Sequence, residues 1–262
     1  MKKTEYRELL TEAGERLINA PGGVPWDVYP RPRLVRKDWL CLNGEWEFYT
    51  ESAPDPVPIR VPFCAESLLS GLDGARRGAL RYGEKLYYTR RFSVPEGWKG
   101  RRVLLHLTAS RESDVYVNGP RFGGGDQAYF SVVRDITSAL REGENELRIV
   151  CVNDLDPAYP CGKQKIRRGG MWYTPCSGIW QTVWLEPVPE KHITGIDCVQ
   201  NGNEMLIRVS GAENGEVVCE GKRYPLAGGE CRIAFDAPRL WSPEEPNLYC
   251  FTVRCGEDES KR

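Results

Sequence analysis

Few residues of this chain have types and spacings that could do chemistry. There is no Gly-x-Ser-x-Gly or His-Glu-x-x-His motif, and only His106 and His192 could serve a triad or a metal site. The glycine run 123–125 follows a hairpin pattern and opens no helix, so it predicts no phosphate cradle. Paired carboxylates can hydrolyse glycosides, but the Asn-Glu pairs at 145–146 and 203–204 lie where turns enter strands. We therefore predict no catalytic residue, no metal site and no cofactor.

Trp172 and Tyr173 are the other candidates, in a turn-rich segment without clean alternation. An exposed aromatic face could stack on a sugar ring, because the C–H face of a pyranose is apolar. The same rings could instead seal the end of a β-sandwich. The residues of the chain alone favour the sealing role.

Composition favours an all-β protein over a helical one. The chain has 262 residues with 27 Gly, 19 Pro and 10% aromatic residues, a mixture of turn formers and strand formers. With 36 basic and 37 acidic residues, its charge is −1, which lacks the basic surplus of a nucleic-acid binder. No run approaches the ~18 apolar residues that cross a bilayer. We expect neither nucleic acid nor membrane as a partner.

The cysteines and the N-terminus indicate a reducing compartment. None of the ten cysteines forms a Cys-x-x-Cys pair, and Cys151 and Cys231 occupy apolar positions of alternating strands. Residues 4–19 are charged throughout, unlike a signal peptide. We expect free thiols and a cytoplasmic protein.

One helix is predicted, over residues 3–19, with an apolar stripe that packs on the domain. The stripe consists of Tyr6, Leu9, Leu10, Ala13, Leu17 and Ile18. From Leu34 onwards the pattern has period two, so strands follow one another without long helices between them. We expect six residues to share one core in the first half: Trp46, Leu105, Val117, Leu147, Ile149 and Val183.

Pro187-Val188-Pro189 predicts a domain boundary, with one β-sandwich at residues 1–189 and a smaller one at 190–262. Five strand candidates follow the boundary, whereas an immunoglobulin-like sandwich has about seven. We therefore expect the second domain to be truncated. The strand at 249–255 should place Tyr249, Phe251, Val253 and Cys255 inward beside an edge that is open, covered by a neighbour or paired with 256–262. A chain about ten residues longer should be more stable.

Five groups of short motifs follow one another between about residue 33 and residue 255. They are LNGEWEF (42–48), VP (61–62) with YYTRRF (87–92), VYVNG (115–119) with DIT (135–137) and GENEL (143–147), SGIWQTVWLE (177–186), and LWSP (240–243) with PNLY (246–249). In type and order they resemble the motifs of glycoside hydrolase family 2, the β-galactosidases, β-glucuronidases and β-mannosidases.

The resemblance implies a jelly-roll sugar-binding domain followed by an immunoglobulin-like domain. In that family a (β/α)8 barrel follows and carries both catalytic glutamates. Such a barrel needs ~250 residues, so the resemblance implies that this chain by itself is inactive. Its partner would be a β-glycoside, bound together with the barrel, and self-association into a homo-oligomer is compatible with the pattern.

The segment before SGIWQTVWLE departs from the better-known family members. Where β-galactosidases carry an acidic residue before Met-Trp, this chain has Arg167 and Arg168, and its loop is two residues longer. The segment is similar instead to a subgroup with "G-K-Q … W-Y-T-P". That likeness implies four candidate substrate-binding residues, which are Lys163, Gln164, Trp172 and Tyr173.

Two functional hypotheses follow. The chain is either the non-catalytic N-terminal region of a family 2 β-glycosidase or a free-standing carbohydrate-binding module or lectin. The second sandwich with its Trp241 motif favours the glycosidase. The reading frame beyond Arg262 separates the two hypotheses.

Overall fold

Antiparallel sheets make up nearly all of the regular structure. The computed structural model describes residues 10–19, 22–167 and 169–262. Internal contacts divide the chain into two units. Unit 1 holds the residues up to Val28 together with Leu40–Lys99 and Val103–Leu185, and unit 2 holds Tyr29–Trp39, Gly100–Arg102 and Glu186–Arg262. The all-β class that the composition predicts is confirmed.

Unit 1 is built on two sheets with ten strands in total, of which β10 continues into unit 2 from Glu186 and β5 begins there at Arg102. The strands are β1 (Leu40–Cys41), β2 (Gly44–Thr50), β3 (Ala53–Val61), β4 (Lys85–Ser93), β5 (Arg102–Leu107), β6 (Glu112–Val117), β7 (Arg121–Gly125), β8 (Val132–Asp135), β9 (Glu144–Val152) and β10 (Trp184–Val188). One sheet has the order β3-β2-β4-β9-β6-β7 and is antiparallel throughout. The other has the order β1-β10-β5-β8.

The alternation of apolar residues decides which face of each strand is buried. In β2, Trp46, Phe48 and Thr50 are buried while their neighbours are more exposed, as expected for side chains that alternate across a strand. Both sheets contribute to a single core cluster, so they form a sandwich. The six predicted core residues all belong to this cluster, which confirms the prediction; they are Trp46, Leu105, Val117, Leu147, Ile149 and Val183.

Within residues 10–19, the described part of the predicted helix range, the helix α1 spans Glu12–Asn19. Thr11 Oγ1 accepts a hydrogen bond from the Gly14 amide and so satisfies one free N–H of the first turn. Gly14 is the buried residue of α1. The predicted stripe is only partly correct, because Leu10 and Leu17 are half-buried while Ala13 and Ile18 are exposed; Tyr6 and Leu9 lie outside the described residues. A second helix, α2 (Gly74–Ala79), begins after Asp73.

Unit 2 contains seven strands, not the predicted five. They are β11 (Gly195–Asn201), β12 (Glu204–Ser210), β13 (Gly215–Cys219), β14 (Lys222–Leu226), β15 (Glu230–Ala234), β16 (Phe251–Cys255) and β17 (Asp258–Lys261). They form two sheets, β11-β12-β15 and β14-β13-β16-β17, around one core. The five candidates omit β14, which has a single buried position, and β17, which the sequence analysis includes only as one of three states of the edge of the strand at 249–255. In β17 the buried positions are Asp258 and Ser260, which leaves no apolar alternation to detect.

Residues near the C-terminus cover the edge of β16. Strand β17 pairs with β16 in antiparallel register, from Thr252↔Lys261 to Cys255↔Asp258. On the other side of β17, Val35 and Lys261 exchange two backbone hydrogen bonds of 2.8 and 2.9 Å. Of the three predicted states of this edge, pairing with residues 256–262 is the one observed. The predicted inward face is confirmed, since Phe251, Val253 and Cys255 are buried and Tyr249 packs against the same core.

A buried ion cluster joins the residue 29–39 segment to the rest of unit 2. Arg36, 6% exposed, donates from Nε and Nη2 to the two carboxylate oxygens of Asp258, at 3.0 and 2.8 Å. Its Nη1 lies 3.1 Å from Oε2 of Glu186, which is fully buried. Nη2 also donates to the Ile193 carbonyl, and the Ile193 amide donates to Asp258. Although burial opposes its charge, the two carboxylates raise the pKa of Arg36.

Two further side chains of the 29–39 segment reach Glu186. The Tyr29 hydroxyl donates to Oε2 at 2.9 Å, and Arg31 Nη2 donates to Oε1 at 2.9 Å. Burial, and then the negative charge of Glu186, raise the pKa of Tyr29 to about 12. Both oxygens of this buried carboxylate are therefore paired. No helix among the residues described here is long and apolar enough to cross a membrane.

Removing the Arg36 guanidinium should destabilise unit 2 strongly. An Arg36→Ala change leaves Glu186 and Asp258 buried without their main countercharge, and breaking a buried pair in this way costs about 3–5 kcal/mol. We expect urea unfolding, followed by tryptophan fluorescence and circular dichroism, to show the loss. Arg208→Ala is the matched control, because Arg208 pairs with Glu230 on an exposed face of unit 2 and should cost less than about 1 kcal/mol. Equal effects of the two changes would contradict this account.

Candidate functional site

The candidate residues lie in the long irregular segment between β9 and β10. Its C-terminal end is fixed at Gly178, which exchanges hydrogen bonds of 2.8 and 2.9 Å with Ser110. Gly178 has φ +86°, and a Cβ there would lie 1.9 Å from the hydroxyl oxygen of Tyr88. Only glycine satisfies both the positive φ and the contact. The glycine of the SGIWQTVWLE motif therefore closes the core beneath the segment.

Glu66 holds the same end of the segment from the other side. Its Oε2 accepts a hydrogen bond from the Ser177 amide at 2.8 Å, while the Ala65 amide donates to the Ser177 carbonyl at 3.0 Å. Asn153 Nδ2 donates to Ser177 Oγ at 3.0 Å. Burial raises the pKa of Glu66, although the bonds from Ser177 oppose that shift. The carboxylate thus has a structural role in anchoring the segment.

Gln164 is a brace within the segment. Its side chain is half-buried, and Oε1 accepts a hydrogen bond from the Cys176 amide at 2.7 Å. This side-chain oxygen is therefore already engaged within the segment. Of the four candidate substrate-binding residues, Gln164 is therefore the one whose side chain binds the backbone of its own segment.

The other three candidates come together on a short pairing of the segment with itself. The Tyr173 amide donates to the Lys163 carbonyl at 2.7 Å, and the Lys165 amide donates to the Tyr173 carbonyl at 3.1 Å. The bridge between Gln164 and Tyr173 is parallel. We name residues 163–167 together with 169–173 the basic hairpin.

The aromatic side chains of the basic hairpin face solvent. Trp172 is 38% exposed and Tyr173 65% exposed. The sealing role that the sequence favours for these rings is therefore wrong, because a sealing ring would be buried. Met171 and Ile166, 62% and 61% exposed, add apolar surface to the same hairpin.

Lys165 is a neighbour of Trp172 that sequence reasoning missed. Its ammonium lies 3.9 Å from the centre of the Trp172 ring, within the range of a cation–π contact. The two residues are seven positions apart in a segment that forms neither a helix nor a regular strand. The small parallel bridge brings them together, and such a bridge has no signature in the sequence.

A second loop contributes further exposed rings next to this segment. The Tyr129 hydroxyl lies 3.2 Å from the position that a Cβ on Gly162 would occupy, and its ring meets Trp180 edge-on at 6.1 Å. Tyr129 and Phe130 are 52% and 68% exposed. This end of unit 1 therefore presents aromatic faces on two loops.

The chemistry available at the basic hairpin is stacking and charge pairing. Asp154, an acidic residue at the start of the segment, is held by Arg111 Nε at 2.7 Å. In the described part of the chain, no group of three or more His, Cys, Asp or Glu side chains could hold a metal ion. Flat rings beside cations suit recognition of a ligand.

Unit 2 has an apolar cavity of about 250 Å³ near the LWSP motif. Phe235 and Tyr249 lie in its wall with ring centres 4.6 Å apart. Leu240, Trp241 and Leu248 line it as well and are 64%, 61% and 75% exposed. These motif residues are therefore part of the surface, while Ile207, Ile233 and Phe251 of the unit 2 core line the same cavity.

Solved structures with this all-β architecture include two glucuronidases. The β-D-glucuronidase of Dictyoglomus thermophilum superposes with a TM-score of 0.64 at 21% identity, over 86% of this chain and 43% of that one. The β-glucuronidase of Ruminococcus gnavus gives a TM-score of 0.67 at 21% identity, over 90% of this chain and 45% of that one. The likeness at this identity is one of fold. The chain therefore shares its all-β sandwich fold with parts of these two structures.

The chain is also similar in sequence to curated proteins that are named as β-glycosidases. A putative β-glucuronidase of Formosa agariphila is 24% identical over 79% of this chain and 22% of its own length. A β-galactosidase of Aeromonas hydrophila is 23% identical over 88% of this chain and 28% of its own length. Residues 201–261 match the family described as glycosyl hydrolases family 2. The chain is thus similar to family 2 glycosyl hydrolases, the family that its motifs resemble, and it spans 22% and 28% of the length of these two relatives.

The raised pKa of Glu66 predicts a pH-dependent effect of its amide isostere. The unfolded carboxyl has a pKa of about 4.3. Because the folded pKa lies higher, folded Glu66 binds more protons than unfolded Glu66 between the two values, so stability falls as pH rises through that window. Glu66→Gln keeps an acceptor for Ser177 but does not ionise. We expect its melting temperature relative to the wild type to rise from pH 4 to pH 7, as measured by calorimetry.

Glu66→Ala is the matched control for this prediction. It removes the charge and also the acceptor for the Ser177 amide, and an unsatisfied buried donor costs about 1–3 kcal/mol. We expect a lower melting temperature than for Glu66→Gln at every pH. A Glu66→Gln difference that stays constant with pH would contradict the assignment.

Proposed function

We propose that this chain is the non-catalytic β-sandwich region of a family 2 enzyme that hydrolyses O-glycosidic bonds in β-glycosides. Unit 1 would be its jelly-roll sugar-binding domain and unit 2 its immunoglobulin-like domain. The observation that carries the proposal is the asymmetry of coverage. The matches extend over 79% and 88% of this chain but over only 22% and 28% of the relatives, which are named as β-glycosidases.

Within this function, the basic hairpin is the part of unit 1 that would contact the sugar. Trp172 and Tyr173 supply exposed rings for stacking, and Lys163 supplies a donor beside them. Gln164 would act indirectly, by holding the hairpin against Cys176. Contacts from one or two rings and few donors give weak affinity, since association itself costs several kcal/mol. We expect millimolar binding of a monosaccharide by this chain.

The ten free cysteines support a place in a reducing compartment such as the cytoplasm. Cys151 is fully buried, and its thiol lies within the core of unit 1. A thiol in this position contributes apolar packing. Extracellular domains of this size more often use cysteines as disulfides.

This chain alone should not hydrolyse aryl β-galactosides, β-glucuronides or β-mannosides. Retaining hydrolysis needs an acid and a nucleophile with carboxyl groups about 5–5.5 Å apart, and scattered surface carboxylates do not supply that geometry. Release of nitrophenol from the three substrates, followed in a spectrophotometer, should equal the buffer rate. Turnover above buffer that one Glu→Gln change abolishes would contradict the prediction.

The lectin hypothesis is tested by reading the gene beyond the codon of Arg262 and by assaying the longer protein that it encodes. We expect the reading frame to continue past the codon of Arg262 into a (β/α)8 barrel, and the joined product to hydrolyse one of the aryl glycosides. Trp172→Ala in that product should raise KM more than it lowers kcat, because it removes a binding contact. A stop codon after Arg262, together with micromolar sugar binding in calorimetry, would replace the proposal by a free-standing lectin.

A further inference from the structure

Two cysteines of unit 1 meet at the point where the segment between β9 and β10 ends. The Ala65 amide donates to the Ser177 carbonyl at 3.0 Å, so the residues that precede these two, Cys64 and Cys176, are neighbours in the fold. The Cys176 thiol donates a hydrogen bond to the Cys64 sulfur. The two sulfurs come from distant parts of the chain, and the fold brings them together.

Hydrogen bonds hold the backbone of both cysteines. The Cys64 carbonyl accepts from the Ser67 amide at 2.9 Å. The Cys176 amide donates to Gln164 Oε1 at 2.7 Å, and its carbonyl accepts from Asn153 Nδ2 at 3.2 Å. Both thiols are therefore held in contact before any covalent bond forms. A disulfide needs sulfurs ~2.05 Å apart, which side-chain rotation can reach from hydrogen-bond contact.

Neither thiol of this pair serves as packing in a hydrophobic core. Cys151 and Cys219 are buried members of the two core clusters, where a thiol acts as a small apolar group. Cys64 and Cys176 are half-buried and lie outside the clusters. Cys176 also lines a cleft of about 20 Å³, and a water-sized molecule needs roughly 10–15 Å³. A small oxidant can therefore reach the pair.

The hydrogen bond makes the two thiols chemically unequal. Donation from Cys176 lowers the pKa of Cys64, against the effects of burial and of the Glu66 charge. The same hydrogen bond, and then burial, raise the pKa of Cys176. The thiolate is the form that attacks an oxidant, so Cys64 is the sulfur that reacts first. Redox-sensing cysteines have this arrangement, in which a low-pKa thiol lies beside a second cysteine that resolves it.

We propose that Cys64 and Cys176 form a reversible redox site, which hydrogen peroxide converts to a disulfide and a dithiol restores by thiol–disulfide exchange. The Cys64 thiolate attacks the peroxide O–O bond and becomes a sulfenic acid, and the hydroxide that leaves is protonated to water. The Cys176 sulfur then attacks the sulfenic sulfur, loses its proton and displaces the hydroxyl group as a second water. Each sulfur gives up one electron, and the peroxide takes up both. The site is independent of the proposed function, which uses no thiol.

The disulfide fixes the end of the segment that carries the basic hairpin. In the reduced chain that end is held by hydrogen bonds, among them the one from the Ser177 amide to Glu66 at 2.8 Å. The covalent bond closes a loop of roughly 100 residues and so restricts the unfolded chain. We expect the oxidised chain to melt about 5–15 °C higher than the reduced chain in calorimetry.

The test is peptide mapping of the reduced full chain after treatment with one equivalent of hydrogen peroxide. N-Ethylmaleimide blocks the remaining thiols under denaturing conditions. Trypsin then places Cys64 in peptide 61–76 and Cys176 in peptide 169–191, each with no other cysteine. We expect mass spectrometry to show these two peptides joined and two hydrogen atoms lighter than their sum. Dithiothreitol should separate them, and Cys151 should carry the blocking group.

Two variants separate the roles of the two sulfurs. Cys176→Ser should leave Cys64 as a sulfenic acid that dimedone traps, because no neighbouring thiol condenses with it. Cys64→Ser should lose the dimedone adduct and the rise in melting temperature. The matched control is Cys161→Ser, which changes another half-buried cysteine of the same segment and should give the joined peptides as the wild type does.

Three outcomes would overturn the proposal. The first is that Cys64 and Cys176 stay reduced even at ten equivalents of peroxide. The second is that either peptide joins the one that holds Cys161, or joins a second copy of the chain in a mixture of ¹⁵N-labelled and unlabelled protein, which would indicate unselective oxidation. The third is that the joined chain melts no higher than the reduced chain, which would show that the bond does not fix the segment.

Discussion

The guanidinium of Arg36, buried from water, is the constraint on which unit 2 depends. A buried ion loses its hydration, which costs several kcal/mol of free energy. Fixed hydrogen-bond and charge partners must offset that cost. Asp258 takes two of its donors side by side and Glu186 takes a third. Since the partners come from two separate strands, β10 and β17, the cluster requires both strands and the 29–39 segment to be present together. The cluster thereby fixes the positions of these two strands relative to the 29–39 segment.

The same cluster explains where apolar patterning succeeds and where it fails. In unit 1, period-two alternation is enough to identify Trp46, Ile149 and the rest of the core, because the buried face of each strand is apolar. In β17 the buried face carries Asp258 and Ser260, and a strand whose inward residues are polar looks like a loop in the sequence. Arg36 itself is one of many arginines, and no local pattern distinguishes the buried one.

The candidate site was predictable in composition but not in geometry. The sequence identifies Trp172 and Tyr173 through their turn-rich setting and the family-like motif around them. It could not show that Gln164 turns inward, or that Lys165 covers one face of the indole, because both follow from a parallel bridge between residues close in sequence. Hairpins of neighbouring residues are usually antiparallel, so this arrangement contradicts the expectation that a sequence reader would apply.

The residues of the Arg36 cluster are far apart in sequence, so they leave the ribosome at different times. Arg36 and Asp258 are 222 residues apart. At ribosomal rates of ~5–20 residues per second, Arg36 waits about 10–45 s for that partner to be made. Unit 1, whose last segment ends at Leu185, has all of its residues well before then. Unit 2 therefore completes its buried ion cluster by binding a segment that left the ribosome first.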